Sequence, residues 1–286
     1  MKRKIKTDSV LFTLIVTLFF FFLLGAVSIS TRIILNDRIA AFDLELYIWI
    51  NVAAQLLLTL ALIALSQKLG IHHGEDYHLS SIPKGLYMGL VCLIRGLVFF
   101  AVNLCGNIGY AHVPKPSYFL ACVMIAFTTG FFEEVLCRGF GYNNLKKHYG
   151  DSWNGTKKSI IISSLIFGLA HLVNLSGYNL QAILDTTAQI ISAIIIGVYF
   201  SLIYIQSKSM WAVVISHAVA DGAIFLLYSI LTTEAFQPEG ADIITAGSIV
   251  VQSFIIPLVT MIPIMIAVWI KWRRLKNETA DVIIEP

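Results

Sequence analysis

Three short segments of this chain place ionisable side chains inside otherwise apolar runs. They read Phe131-Phe132-Glu133-Glu134-Val135-Leu136-Cys137-Arg138, Phe167-Gly168-Leu169-Ala170-His171-Leu172-Val173-Asn174 and His217-Ala218-Val219-Ala220-Asp221. A charge inside a bilayer is costly unless it is paired or hydrated, so such residues are functional candidates by default. The candidates are Arg95, Glu133, Glu134, Arg138, His171, His217 and Asp221. One Glu, two His and one Asp together offer two chemistries. Neutral imidazoles with carboxylates bind a hard or borderline divalent metal. A carboxylate with an imidazole also activates water directly as a general base. Either would hydrolyse an amide in a water-accessible membrane cavity. A serine dyad does not fit, because Ser216 is adjacent to His217 rather than facing it.

Spacing narrows the roles. Glu134 and Arg138 are four apart, share a helix face and can pair. Glu133 points about 100° away, so it projects elsewhere while that pair stays satisfied. A purely structural ion pair would leave Glu133 unexplained. His171 stacks one turn after Phe167 and one turn before Asn174, and Gly168 and Ala170 permit close helix approach. His217 and Asp221 lie on one face, which suits a metal half-site, a carboxylate-oriented His or a proton relay. Glu133 lies 13 residues before Lys146, and His171 lies 13 residues after Lys158. Both are thus about 20 Å from the loop lysines, and His217, nine residues after Lys208, is about 14 Å in. The three could converge in the cytoplasmic half of a bundle. Arg95 either pairs with a core carboxylate, which is the expectation, or binds a lipid or a substrate carboxylate.

Membrane spans must position these groups. The 286 residues are 57% hydrophobic and only 13% charged, against roughly 25% charged in a soluble domain. Mean hydropathy is +0.80. This excludes a soluble fold, intrinsic disorder and a secreted disulfide scaffold. Cys92, Cys105, Cys122 and Cys137 form no CxxC pair and read mostly as small buried hydrophobes. About 20 apolar residues cross a bilayer, which predicts eight spans near 9–34, 46–66, 84–105, 117–143, 157–175, 184–206, 209–232 and 246–270. The first exceeds the apolar core of a cleaved signal, so it reads as a retained helix. The expected fold is therefore an all-α polytopic bundle. It forms one integral membrane domain over 1–276, with a motif core near 117–232 and a short disordered tail over 277–286. With both termini cytoplasmic, the inner side holds 15 Lys and Arg and the outer side three: Arg32, Arg38 and Lys115. The positive-inside rule favours that topology. His72, His73 and His78 read as part of a solvated loop.

The three segments resemble the motifs of the CAAX protease and bacteriocin-processing (CPBP, or Abi) family, which includes the type II CAAX prenyl endopeptidases. Its EExxxR motif corresponds to Glu133, Glu134 and Arg138, its FxxxH motif to Phe167 and His171, and its HxxxN or HxxxD motif to His217 and Asp221. Each is weak alone; all three in order, each in an apolar span, are specific. The resemblance covers spans four to seven. It implies an eight-span intramembrane endopeptidase whose site opens towards the cytoplasm of a bacterial cell. Glu133 and His171 would activate water. His217 and Asp221 would bind metal or stabilise the oxyanion. Glu134 and Arg138 would order the first motif. An ionised Asp cannot donate to an oxyanion but is a good metal ligand, so Asp221 tilts the expectation towards zinc, held by Glu133, His171, His217 and Asp221. The expected partners are membrane lipid and a peptide or prenylated protein, and no nucleic acid. Bacteriocin self-immunity is a reasonable setting. A non-catalytic scaffold and a metal or proton transporter are the alternatives.

Overall fold

The computed structural model describes residues 9–38, 44–71, 78–175, 177–232 and 249–281. The basic residues Lys2, Arg3, Lys4 and Lys6, the loop residues His72 and His73, and Asp43, Glu234, Glu239 and Asp242 lie outside the described residues. Among the described residues, eight helical segments are long and apolar enough to cross a membrane, matching the eight expected spans. Regular structure there is helical apart from one isolated bridge between Ala111 and Leu231. The chain is an all-α, multi-pass integral membrane protein. Backbone groups in lipid must be satisfied within their own segment, and a helix does this.

The first three spans are α1 (Val10–Arg38), α2 (Leu44–Lys68) and α3 (Ile82–Gly106). The fourth is composite. The α-helix α4 (Pro116–Glu134) passes into a π-helix, Val135–Tyr142, and then into α5 (Asn143–Tyr149). The fifth, α6 (Trp153–Ala170), tightens into a 3-10 turn over His171–Asn174. Next come α7 (Leu180–Ser207) and α8 (Met210–Ile230). The eighth span is broken. A π-turn, Val251–Ile255, leads into α9 (Ile256–Val259) and then α10 (Ile262–Asp281). Pro257 and Pro263 lack the amide hydrogen that a continuous helix needs. The last helix thus runs past Asn277, where the sequence reading begins a tail.

Polar residues set the helix starts. Ser152 Oγ accepts from the Gly155 N–H, Asn179 Oδ1 from Ala182 and Ser209 Oγ from Ala212. Each satisfies an amide that the first turn leaves without a partner. Lys208 takes a left-handed conformation, φ 53°, so α7 stops and α8 starts within two residues.

The chain forms two compact units, with a boundary inside the fourth span after Leu136. One comprises Phe19–Leu136 and Ser209–Gly240, and we call it the His217 unit. In it α8 packs on both α3 and α4, and α4 packs on α2. The other, the His171 unit, comprises Met1–Leu18, Cys137–Lys208 and Ala241–Pro286. There α6 packs on α5 and α7, and α7 packs on α10. Burial follows the chemistry. The windows of spans four to seven are 50–56% buried, whereas those of spans one, three and eight are 17–22% buried. The polar motifs thus sit on the helices with the most protein around them. Cys92, Cys122 and Cys137 are buried thiols, and Cys105 is exposed.

Candidate active site

In the His217 unit the site begins with a close approach of two helices. Gly130 of α4 faces α8. A Cβ there would come within 3.0 Å of the Val214 carbonyl oxygen, 3.1 Å of the Ala218 nitrogen and 3.3 Å of His217 Cβ. Only glycine lets the backbones come this near. One turn further along α4, both carboxylates of the first motif reach the His217 ring. Glu134 Oε1 lies 2.7 Å from Nδ1, and Glu133 Oε2 lies 3.6 Å from Nε2. Asp221 Oδ2, one turn along α8, lies 3.2 Å from Nε2. The angle between neighbouring carboxylates therefore does not send them to separate places. The imidazole lies between them and is met on both edges.

Exposure grades across the cluster. The Glu134 side chain is 0% exposed, His217 7%, Glu133 14% and Asp221 39%. Buried Glu134 accepts the Nδ1 hydrogen and thereby fixes the orientation of the ring, as carboxylate partners of functional histidines do. With Nδ1 so used, the contact of Nε2 with Asp221 needs a proton between the two atoms. The more exposed end, at Nε2, Glu133 and Asp221, is where water can enter.

Two further contacts hold α4 in register, and sequence reasoning missed both. Gln55 of α2 donates from Nε2 to Thr129 Oγ1 at 3.0 Å, and Thr128 Oγ1 donates to Gln55 Oε1. Thr129 lies one turn before Glu133. Trp211 stacks on Phe127 and Phe131, with centroids 6.5 and 5.4 Å apart. A search restricted to ionisable residues passes over Gln55, although a buried amide in an apolar span carries a similar signal.

In the His171 unit, Arg138 sits in the π-helix rather than in the α-helix assumed for its spacing from Glu134. It is 1% exposed and donates from NH2 to the Gly197 carbonyl at 2.9 Å. Its guanidinium carbon lies 4.9 Å from the centre of the Phe167 ring and 5.6 Å from that of Phe200. Such stacking stabilises a buried guanidinium. The Phe of the second motif is thus a seat for the Arg of the first. Gly168 permits the expected close approach: a Cβ there would collide with Ile194 and lie 3.0 Å from the Ile190 carbonyl.

His171 opens the 3-10 turn. Its Nδ1 donates to the Phe167 carbonyl at 2.9 Å, and its ring meets the Phe167 ring edge-on at 5.0 Å. A carbonyl can only accept, so Nδ1 carries the hydrogen and Nε2 keeps its lone pair. His171 is half-buried. Asn174 donates to Gln189 Oε1 on α7 at 3.2 Å.

The structure thus brings Glu133, Glu134, His217 and Asp221 together, and separately joins Arg138, Phe167 and His171. The donor types around His217 Nε2 suit zinc in kind, with one nitrogen and two carboxylates. Among the described residues, however, no three His, Cys, Asp or Glu side chains are arranged to hold a metal ion.

Fold and site define a class: a multi-pass membrane protein with carboxylates and imidazoles set on its apolar spans. Comparison with known families narrows it. Residues 115–223 match the family of Rce1-like type II CAAX prenyl endopeptidases, from just before α4 into α8. Over that stretch, which holds all three motifs, the chain is similar to the family its motifs resemble. No curated protein matches it.

Proposed function

We propose that the chain hydrolyses a peptide bond in a membrane-associated or prenylated peptide, with a water activated by Glu133. The arrangement of Glu133 and Asp221 about His217 Nε2, with Nδ1 held by buried Glu134, carries this reading. Glu133 takes a proton as the water oxygen adds to the carbonyl carbon. The oxyanion that forms accepts a hydrogen bond from His217 Nε2–H. Collapse breaks the C–N bond, and the proton on Glu133 goes to the leaving amine. Asp221 acts through His217, by keeping the hydrogen on Nε2. An ionised Asp cannot donate to an oxyanion, and in this role it has no need to. The His171 ring, with its Nδ1 hydrogen given to the Phe167 carbonyl, keeps an Nε2 lone pair that suits it to a base role implied by its motif.

Zinc stays a proposal to be tested. It would supply Lewis acidity, with Glu133, His217 and Asp221 as the oxygen and nitrogen donors in the His217 unit. No step above passes through it. The excess of Lys and Arg on one side supports a topology with both termini cytoplasmic, in a bacterial plasma membrane.

The test is a cleavage assay on purified protein in detergent, with labelled peptides, prenylated and plain, with and without chelator. Cleavage by the wild type that is lost in Glu133→Gln and in His171→Ala is expected. Cleavage that survives Glu133→Gln would refute the proposed base. Loss with chelator and return with zinc would replace the direct mechanism with a metal one. In cells, protection against a peptide bacteriocin that survives Glu133→Ala would assign immunity to a non-catalytic scaffold.

A further inference from the structure

Arg95 is the ionisable residue of the spans that this mechanism does not use. It lies near the middle of α3, 13 residues from Ile82 and 11 from Gly106. Its neighbour Gly96 is in tight contact with α8: a Cβ there would come within 3.0 Å of the Val219 carbonyl and 3.3 Å of Ala220 Cα. Arg95 therefore stands at the level of Asp221, about one turn along α8 from His217. It interacts electrostatically with Asp221 across the helix pair and with Cys92 on its own helix. Yet it forms no ion pair with Asp221, and its Nε is buried with no hydrogen-bond partner among the described residues. The expectation that Arg95 pairs with a core carboxylate thus fails within the described residues.

A guanidinium inside a membrane protein, with a buried N–H left without an acceptor, is expensive. Packing alone does not call for it, since a leucine at this position would bury as well. An anion supplied from outside would complete it, and a carboxylate matches the guanidinium fork with two parallel hydrogen bonds. We propose that Arg95 receives the C-terminal carboxylate of the peptide substrate. This rests on the peptidase reading and deepens it, since a C-a-a-X sequence ends in a free carboxylate. Extended chain advances about 3.3 Å per residue, so an anion held at Arg95 lies only a few residues from Nε2 of His217.

Charge sharpens the argument. Glu133, Glu134 and Asp221 repel an anionic substrate, and among the described residues of α3, α4 and α8 Arg95 is the guanidinium facing Asp221. A lipid phosphate offers the same chemistry but sits at the wrong depth. Headgroups lie about 15 Å from the bilayer centre, at the edge of a hydrocarbon core about 30 Å thick. Arg95 is about 20 Å and about 16 Å along its helix from the two ends of α3.

The experiment compares two probes. One is a fluorescein-labelled S-farnesylated peptide ending C-a-a-X as the free acid, and the other is the same peptide as its C-terminal amide. Binding is read by anisotropy on full-length Glu133→Gln protein in detergent, which does not consume the probe. The acid is expected to bind about tenfold more tightly than the amide, as a charge-assisted hydrogen bond predicts. Adding Arg95→Gln should invert the preference, because the carboxylates then repel the acid alone. Arg95→Lys should keep part of it. Equal or undetectable binding of the two peptides, or equal weakening of both by Arg95→Gln, would overturn the proposal. So would displacement of the acid peptide's advantage by glycerol 3-phosphate, which would assign the site to lipid phosphate. Acid-selective, Arg95-dependent binding without turnover by the wild type would remove the peptidase reading and leave this one standing.

Discussion

His171 and His217 are the two histidines of the motifs, and the structure treats them differently. His217 is buried and has carboxylate oxygens at both ring nitrogens, 2.7 Å from Nδ1 and 3.2 and 3.6 Å from Nε2. His171 is half-buried, begins a 3-10 turn and gives Nδ1–H to a backbone carbonyl. The first ring is fixed in a charged socket and is suited to donate from Nε2. The second is oriented by a neutral partner and is suited to accept a proton there. One residue type is thus suited to two roles, and the partner at Nδ1 separates them. Burial also predicts a different cost of removal, because His217 leaves carboxylates without their partner whereas His171 leaves only a carbonyl.

The largest effect expected belongs to neither histidine. Glu133→Gln keeps the shape and loses the base, so kcat should fall about 10²- to 10⁴-fold, measured with the peptide the wild type cleaves best. A smaller loss would move the base elsewhere. The histidines themselves come next. His171→Ala should cost activity on the same scale with little change in Tm, whereas His217→Ala should cost activity and lower Tm clearly. Equal Tm changes in the two variants would erase the contrast drawn above.

Glu134→Gln keeps an acceptor for Nδ1–H but removes the charge. A loss of about 10- to 100-fold in activity is expected, and an unchanged rate would show that the carboxylate does not tune the ring. Gly130→Ala pushes α4 from α8 and should destabilise by about 1–3 kcal/mol. Thermal unfolding would measure this, with activity falling faster than stability because the carboxylates retreat from His217. The smallest effect is that of Gln55→Leu. Interhelical side-chain hydrogen bonds in membranes average about 0.6 kcal/mol, so a Tm shift of a degree or two, with activity nearly kept, is the expected result.

Much of this was legible in the chain because membranes simplify the reading. Eight apolar runs give eight helices, since lipid permits little else to span it. The ionisable residues were legible for the same reason: a carboxylate such as Glu133 stands out in an apolar run. Less legible was the local backbone. Nothing in the pattern marked the π-helix from Val135 to Tyr142, because i→i+5 bonding leaves no separate hydrophobic period at this length. Arg138 therefore sits on a π-helical turn rather than on the α-helix that the count assumed. Gln55, Thr128 and Thr129 escaped because neutral polar residues in spans are common, and only a partner on another helix gives them meaning.

Sequence by itself determined the span count, the all-α class and the three motifs, because hydropathy and fixed spacing are local properties. Tertiary structure decided which atoms meet. That Glu134 holds Nδ1 of His217, that Arg138 lies against Phe167, and that Arg95 stands across from Asp221 without an ion pair depend on how closely helices pack. Those distances follow from glycines such as Gly130 and Gly96, where the absence of a Cβ admits a neighbouring backbone. Periodicity names the face that a residue occupies, but only packing between helices sets what stands opposite it.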